Sequence, residues 1–426
     1  MKKWFVLLLA LLMLPSFALG EEDPYGGFFA ESSAPVFRDG CVWIKNGAGL
    51  YGLLGKSGEW LIEPAYEDAR YLGEGVSSVS QVEAGSIMLV DRSGNKLFDG
   101  ELEALYDFSD GLLLAEGDGL PSRWAYLNAK GEIVIECDPS MQYYPFSNRR
   151  AMVCSEEGLY GFINTKGELV IPCKYERACE FSGKRAVVSE DGVLWGVIDQ
   201  TGAVQGAFKW HLYQEMFEVY EDWAAPYYQN GYLLVCDDEG RVTFLNQKGD
   251  EIGSYWADAR PFSEGFAAVG KDFYNWGYID TRGKLVIPCK YEEVGPFHQG
   301  RAAAYYDGWG VINEKGVTVT EFLLDEVGIF TEGYAPVSKF GWAYINRAGH
   351  LPQEYPWNRA GNFVEGLAPV ENESGLLGYI APNGEEIVKC VWDEIGPFSD
   401  GLAWVSGEDG RGFVNTHGRM VISLDD

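Results

Sequence analysis

The sequence is poor in the residues that carry most catalytic and metal-binding chemistry. Histidine occurs only four times in 426 residues, and no two histidines have the i, i+4 spacing of a metalloprotease helix. The eight cysteines include no Cys-x-x-Cys pair, so a structural zinc site is not expected. A Gly-x-Ser-x-Gly elbow and a glycine-rich phosphate loop are both absent from the sequence. We therefore predict no catalytic residue, no metal site and no cofactor.

Basic residues are scarce as well. The chain has 33 lysines and arginines against 64 aspartates and glutamates, which gives a net charge of −31. Such a charge repels phosphate backbones and anionic lipid headgroups, so we expect no nucleic-acid binding. Aromatic residues, by contrast, make up 15% of the chain, and hydrophobic residues make up 46%, which is enough for a folded core.

A long apolar run occurs only at the N-terminus. Lys2 and Lys3 precede apolar residues 4–14, and small residues follow at Ala18 and Gly20. This pattern is typical of a secretory signal peptide, and the run is shorter than the ~20 apolar residues of a membrane span. The alternative is a buried N-terminal helix.

We expect residues 1–20 to be a signal peptide that is cleaved after Gly20 or Ala18. Residues 21–35 then form an N-terminal segment. The mature chain would be secreted or lie at the exterior of the cell envelope, with no membrane span.

A repeat of about 35 residues occupies residues 36–426. A glycine that closes a polar turn recurs at intervals of 33 to 37 residues, with one interval of 47. These glycines are Gly58, Gly94, Gly131, Gly167, Gly202, Gly249, Gly283, Gly316, Gly349, Gly384 and Gly418. An aromatic residue followed by polar residues and glycine recurs in phase, as in 262–265 and 398–401. Two markers with one period define a tandem array.

The residue pattern of each unit predicts three short strands. In one unit they are residues 266–269, 276–280 and 284–288, and a tight turn joins the last two. In nine units this turn begins with Asn or Asp, whose side chain can bond the backbone two residues on. Gly55 and Ala381 break the rule, so we expect looser turns in those two units.

A glycine usually follows the aromatic residue that opens the middle strand. A glycine in mid-strand has no side chain, so another group can approach the strand closely there. We expect this group to be an aromatic ring of a neighbouring unit. The repeated aromatic residues are then core residues, with a ligand platform as the alternative.

The repeat resembles the WG-repeat, or KWG-repeat, proteins of bacteria. Residues 276–291 read Trp-Gly-Tyr-Ile-Asp-Thr-Arg-Gly-Lys-Leu-Val-Ile-Pro-Cys-Lys-Tyr, and residues 160–175 repeat this pattern with Tyr160 as the opening residue. The structural residues of the motif are Trp195, Gly196, Trp276, Gly277, Trp309 and Gly310. Met88 and Thr243 replace the glycine in two units. The resemblance covers roughly residues 36 to 422 and implies an exported or cell-surface repeat scaffold with no shared catalytic residue.

These observations predict an all-β fold. It is a tandem array of about eleven three-stranded antiparallel β-meander repeats, either open and superhelical or propeller-like. The interval of 47 residues, with extra residues around 209–213, indicates either an insertion in a surface loop or a seam near residue 228 between two sub-arrays.

The eight cysteines leave two alternatives open. An even count in an exported chain favours disulfides, whereas Cys137, Cys173, Cys289 and Cys390 share one position of the repeat that also suits a small buried residue. Calcium is the metal that the acidic turns would suit best, and the nearest sequence to a calcium loop is 237–240.

The function that we predict is a non-enzymatic scaffold for an extracellular protein or a cell-wall glycan. Aromatic pairs outside the repeat pattern are the candidate ligand-binding residues: Tyr143, Tyr144, Tyr227, Tyr228, Tyr305 and Tyr306. The alternatives are a cell-wall or glycan-acting enzyme that uses a carboxylate pair, and a purely structural surface spacer.

Overall fold

The computed structural model describes residues 27–29, 32–81, 87–213, 227–351, 353–408 and 410–424. The elements of these ranges are β-strands, which form small antiparallel sheets in which strands consecutive in sequence are neighbours. The all-β repeat prediction is confirmed. The predicted signal peptide lies outside the described residues.

The strands group into eleven units that follow one another along the chain. Units 1 to 3 contain β1 (Cys41–Lys45), β2 (Tyr51–Gly55), β3 (Trp60–Tyr66); β4 (Asp68–Gly73), β5 (Val76–Ser80), β6 (Ile87–Asp91); and β7 (Ala104–Leu105), β8 (Leu113–Glu116), β9 (Trp124–Leu127), β10 (Ile133–Glu136). Units 4 to 6 contain β11 (Gln142–Ser147), β12 (Arg150–Cys154), β13 (Tyr160–Asn164), β14 (Leu169–Tyr175); β15 (Arg177–Ala178), β16 (Arg185–Ser189), β17 (Trp195–Asp199), β18 (Val204–Leu212); and β19 (Tyr232–Cys236), β20 (Val242–Asn246), β21 (Glu251–Trp256).

The second half of the chain has the same organisation. Units 7 and 8 contain β22 (Asp258–Ser263), β23 (Phe266–Gly270), β24 (Trp276–Asp280), β25 (Leu285–Tyr291); and β26 (Glu293–Val294), β27 (Arg301–Tyr305), β28 (Trp309–Asn313), β29 (Thr318–Leu324). Units 9 to 11 contain β30 (Glu326–Val327), β31 (Tyr334–Ser338), β32 (Trp342–Asn346); β33 (Arg359–Ala360), β34 (Ala368–Glu371), β35 (Leu377–Ile380), β36 (Glu386–Trp392); and β37 (Glu394–Ile395), β38 (Leu402–Gly407), β39 (Gly410–Asn415), β40 (Met420–Ser423).

Most units have four strands rather than the three predicted. The additional strand comes before the aromatic motif and is often only two residues long, as in β26, which pairs with the end of β27. A strand of two residues is too short to show alternating apolar and polar residues, so the sequence does not predict it. In unit 6 the last two residues of β18 replace the additional strand and pair with β19. This pairing joins units 5 and 6 into one seven-stranded sheet.

The turn chemistry is confirmed. In unit 7 the Asp280 side chain accepts hydrogen bonds from the amides of Arg282 and Lys284, both at 3.0 Å, and Gly283 has φ +77°. The prediction of looser turns at Gly55 and Ala381 is wrong, since both turns keep the backbone hydrogen bonds of the other units. The side-chain cap therefore supports a turn that the backbone already closes.

The glycine of the motif has a different role from the one predicted. A Cβ on Gly277 would meet the Ile287 carbonyl oxygen and, at 2.7 Å, the Cys289 amide nitrogen, both in the paired strand β25 of the same unit. That strand bulges between Ile287 and Tyr291. At Gly277 the prediction that an aromatic ring of a neighbouring unit approaches the glycine is wrong, because the bulged backbone fills the space.

Unit 3 has alanine in place of this glycine and lacks the bulge at that point. In unit 3 Ala125 pairs directly with Glu136 of β10. We expect Gly277→Ala to destabilise the protein by about 1–3 kcal/mol, since the added methyl group overlaps backbone that has no room to move. Ala125→Gly is the control and should cost only about 0.5–1 kcal/mol. Urea unfolding monitored by tryptophan fluorescence measures both, and equal losses would contradict the bulge as the cause.

Among the described residues, aromatic ring pairs join six of the ten pairs of consecutive units. A ring from the third strand of one unit packs edge-on against the aromatic motif of the following unit, with ring centroids 4.8–4.9 Å apart. The pairs are Tyr126–Phe146, Phe162–Phe181, Phe244–Phe262, Tyr278–Phe297, Tyr344–Phe363 and Tyr379–Phe398. Eleven of these twelve rings are buried, and Tyr344 is half-buried. The interpretation of the repeated aromatics as core residues is confirmed.

Polar contacts between the aromatic motifs add to each interface. The Ser263 hydroxyl of unit 7 donates to the Phe297 carbonyl oxygen of unit 8 at 2.7 Å. The Glu264 carboxylate accepts from the amides of Gln299 at 2.7 Å and Gly300 at 2.8 Å. The acids of the repeated turns are therefore part of the scaffold.

The same contacts join the last unit to the first. Phe413 of unit 11 packs edge-on against Phe37 with centroids 4.8 Å apart. The Ser399 hydroxyl donates to the Phe37 carbonyl oxygen at 2.7 Å, and the Gly40 amide donates to the Asp400 carboxylate at 2.8 Å. The described units therefore close into a ring of eleven. Of the two predicted architectures, the propeller-like one is present.

The interval of 47 residues falls between units 5 and 6. Trp210 pairs with Trp195 as Tyr291 pairs with Trp276, so residues 209–213 are regular parts of the repeat. The additional residues lie between Trp210 and Tyr228, where 214–226 are outside the described residues. The Ser182 hydroxyl donates to the Tyr228 carbonyl oxygen at 2.7 Å, which is the usual link between units. A seam between sub-arrays near residue 228 stays a prediction.

Candidate ligand-binding surface

The first predicted tyrosine pair lies against the core of unit 4. Tyr143 is buried, and its hydroxyl accepts a hydrogen bond from the Asp138 amide at 2.8 Å. Tyr144 is half-buried, and its ring centroid lies 6.3 Å from that of Tyr160. Burial raises the pKa of Tyr144 to about 12, and its contact with Tyr160 adds to the rise. A ligand therefore does not reach Tyr143.

Tyr228 of the second pair is a member of the repeat. It occupies the position of the motif phenylalanine, is buried, and donates from its hydroxyl to the Asn246 carbonyl oxygen at 2.9 Å. The sequence pattern does not identify this role, because tyrosine replaces phenylalanine and the insertion shifts the spacing. Tyr227 is half-buried.

The third pair is divided between core and surface. The Tyr305 ring packs edge-on against Trp309 at 5.5 Å, whereas Tyr306 is 57% exposed. The three pairs belong to units 4, 6 and 8, which are not neighbouring units. A ligand-binding role for the accessible members stays a prediction.

Exposed aromatic rings concentrate instead in one loop of three consecutive units. This loop joins the second and third of the four strands, and it comprises residues 271–275 in unit 7, 306–308 in unit 8 and 339–341 in unit 9. Phe340 is 94% exposed, Tyr274 73% and Phe273 65%, and Tyr306 belongs to the same set. We call these three loops the aromatic loop surface. The sequence signal that we missed is an aromatic residue between strands at intervals of 32 to 34 residues.

The equivalent loops elsewhere contain no aromatic residue. Residues 155–159 of unit 4 read Ser-Glu-Glu-Gly-Leu, and residues 372–376 of unit 10 read Asn-Glu-Ser-Gly-Leu. The loop itself therefore does not need an aromatic side chain. The rings of the aromatic loop surface serve another purpose than closing the turn.

The repeat tryptophan positions the first of these loops. Trp276 is buried, its indole nitrogen donates to the Phe273 carbonyl oxygen at 3.3 Å, and Arg260 lies over its ring at 4.8 Å. Asp272 accepts from the Tyr274 amide and from the Asn275 side chain, each at 2.9 Å. These hydrogen bonds hold the pKa of Asp272 below its usual value.

The backbone of Phe340 adopts a conformation that phenylalanine disfavours. Its φ is +70°, in a hairpin closed by the hydrogen bond from the Lys339 amide to the Gly341 carbonyl oxygen. Glycine and asparagine prefer such positions. A strained residue with a fully exposed ring costs stability without adding to the core, and such conflicts concentrate at functional sites.

We expect Phe340→Asn to stabilise the protein by about 1 kcal/mol, because asparagine tolerates the left-handed conformation. The measurement is the free energy of unfolding in urea. Tyr306→Asn, which changes an exposed ring of the same surface outside the left-handed region, is the control and should give no gain. A loss of stability in Phe340→Asn would show that the ring supports the fold.

Three acids with raised pKa values lie in different units. Asp258 lies opposite Gly270 and Glu326 lies opposite Ser338, so both are next to loops of the aromatic loop surface. Burial raises the pKa of Glu180 in unit 5, of Asp258 in unit 7 and of Glu326 in unit 9. Asp258 also accepts a hydrogen bond from the Tyr213 hydroxyl at 2.6 Å, which opposes the rise. Among the described residues, no group of three or more His, Cys, Asp and Glu side chains is placed to hold a metal ion.

A polar depression between units 1 and 2 is lined by paired groups. It is bordered by Asp39, Glu74, Gly75, Asp91, Arg92 and Ser93. Asp39 accepts from the Tyr71 hydroxyl and lies 3.7 Å from the Arg92 guanidinium. The charges of Asp39 and Arg92 are therefore paired within the depression.

The cysteines behave as small core residues. In the described structure none of the eight forms a disulfide. Burial raises the pKa values of Cys137, Cys236 and Cys390 to about 12, so their thiols stay protonated at neutral pH. Of the four cysteines at the shared repeat position, Cys137 and Cys390 are the small buried residues expected, whereas Cys173 and Cys289 are half-buried. No helix in the described ranges has the length and apolar character of a membrane-spanning segment.

A family model described as a WG containing repeat matches residues 51–81, 160–193, 276–308, 309–339 and 378–410. The chain is a WG-repeat containing protein. Each matched WG repeat begins near the third strand of one unit and ends near the second strand of the next, so the sequence repeat spans two sheets. A comparison with curated proteins finds no match.

Solved structures give only distant likenesses to this WG-repeat protein. BamB from Moraxella catarrhalis is 13% identical over 65% of this chain and 94% of its own, with a TM-score of 0.30. The computationally designed Ika8 protein is 11% identical over 74% of this chain and 96% of its own, with a TM-score of 0.28. PorZ, a surface component of the type-IX secretion system of Porphyromonas gingivalis, is 13% identical over 89% of this chain and 63% of its own, with a TM-score of 0.23. None of these likenesses supports a statement about function.

Proposed function

We propose that this protein is exported and acts as a non-enzymatic scaffold that binds an extracellular protein or a cell-wall glycan. The observation that carries the proposal is that its aromatic residues fall into two sets, one buried and one exposed. The repeated rings are buried between units, whereas the rings of the aromatic loop surface are exposed and specific to units 7, 8 and 9. Repeat arrays commonly place recognition on such unit-specific residues.

Export rests on the sequence of residues 1–20. N-terminal sequencing of the protein from the culture medium or envelope of its source cell tests it. We expect the mature chain to begin at Glu21, or at Leu19 if cleavage follows Ala18. A chain that retains Met1 and stays in the cytoplasm would contradict export.

A pull-down tests the binding role. Purified residues 21–426 are incubated with wall fragments and exported proteins of the source cell, with and without calcium and high salt. We expect specific retention that Tyr274→Ala combined with Phe340→Ala weakens. The control is Val193→Ala, an exposed residue in the equivalent loop of unit 5. Equal retention of the double variant and the wild type would contradict a role for this surface.

A further inference from the structure

The charge of the aromatic loop surface differs from that of the whole chain. The three loops contain two lysines, Lys271 and Lys339, and two aspartates, Asp272 and Asp307, so the loops themselves carry no net charge in a chain of net charge −31. Asp325 lies beside them and accepts from the Phe340 amide at 3.4 Å. A strongly basic partner would be attracted more to other parts of the molecule, and an anionic polymer would be repelled by the chain as a whole.

The polar groups beside the rings suit hydroxyl groups. Asp272 and Asn275 share the loop of Tyr274, and the Asp272 carboxylate accepts from the Tyr274 amide and from the Asn275 side chain, each at 2.9 Å. Tyr274 and Tyr306 each add a phenolic hydroxyl that can donate and accept. A flat apolar ring with hydrogen-bonding groups at its edge complements a sugar ring, which presents C–H bonds on its faces and hydroxyls around its edge.

The rings also recur with the period of the scaffold. Equivalent loops of three consecutive units each present at least one exposed ring. A series of similar platforms fits a polymer with similar successive residues better than it fits a single small molecule. The strained backbone of Phe340 holds a ring that is exposed and adds nothing to the core, and such strain is common at functional sites.

We infer that the aromatic loop surface binds a neutral polysaccharide, whose sugar rings stack on Tyr274, Tyr306 and Phe340. This inference rests on the proposed binding function and names its ligand class. Loops 271–275, 306–308 and 339–341 hold the chain of sugars, and the carboxylates and phenolic hydroxyls of the surface accept and donate hydrogen bonds to its hydroxyl groups.

Affinity electrophoresis in native gels tests the inference. The gels contain a neutral polysaccharide, in turn hydroxyethyl cellulose, glucomannan or glycol chitin. We expect at least one of them to retard residues 21–426. Each of Tyr274→Ala, Tyr306→Ala and Phe340→Ala should weaken the dissociation constant roughly tenfold, and the triple variant roughly a hundredfold or more. Val193→Ala, a matched exposed residue in unit 5, should bind as the wild type does.

The outcomes separate the inference from the proposed function. Unchanged retardation of the triple variant, with its melting temperature preserved, overturns the inference. If no neutral polysaccharide retards the wild type but an exported protein is captured through the same three rings, the binding function stands and the inference falls. If the wild type binds neither polysaccharide nor exported protein, both fall.

Discussion

Phe37→Ala is expected to open the ring and to cost about 3–5 kcal/mol of folding free energy, the usual loss for a buried phenylalanine. Phe37 is 1% exposed and packs against Phe413 of unit 11. Units 11 and 1 are not consecutive in the chain. Their contacts therefore lack the high effective concentration that a short linker gives to neighbouring units.

Phe262→Ala is the matched control. Phe262 makes the equivalent contact with Phe244, but Ala257 alone separates the strands of units 6 and 7. We expect similar losses of stability in the two variants. A larger hydrodynamic radius and faster amide exchange in units 1 and 11 should appear only in Phe37→Ala. Equal radii and equal exchange in both variants would contradict closure through this contact.

Trp276→Ala is expected to weaken both the scaffold and the aromatic loop surface. The indole is 3% exposed in the interface between units 7 and 8, so its removal should cost about 3–5 kcal/mol. The indole nitrogen also holds the Phe273 carbonyl oxygen. Loop 271–275 should therefore lose its fixed conformation, and amide exchange in the loop should rise.

Trp276→Tyr separates the two effects. Unit 4 has Tyr160 at this position, so the ring of a tyrosine fits the repeat. This variant should keep most of the stability and lose only about 1 kcal/mol with the indole hydrogen bond. Urea unfolding and hydrogen exchange give both readouts. A fully stable Trp276→Ala variant with an unchanged loop would contradict a structural role for this tryptophan.

The periodic residues of the sequence predict most of the repeat. The turn from Asp280 to Gly283 depends on local backbone conformations, so its hydrogen bonds follow directly from residue types. The close approach at Gly277 was predicted, but its cause depends on the register of β25, where the bulge lies. Register is a property of two strands together, and one strand alone does not reveal it.

Closure and the binding surface depend on longer-range geometry. Phe37 has the position of Phe398 in its motif, yet the partner of Phe37 is more than 370 residues away in the sequence. Periodicity establishes the units but leaves the angle between them open. Of the predicted ligand-binding tyrosines, Tyr306 is exposed, whereas Tyr143 and Tyr228 are buried because unrecognised repeat positions place them in the core.

Closure of the ring is tested most directly by a zero-length cross-link between units 1 and 11. The Lys56 amino group lies 3.7 Å from the Asp400 carboxylate, and a carbodiimide joins such a pair as an amide. In the monomeric wild-type protein we predict a linked peptide pair that contains Lys56 and Asp400. The pair should disappear in Lys56→Arg and decrease in Phe37→Ala. A monomer that yields cross-links between neighbouring units but none between Lys56 and Asp400 would show that the array is open.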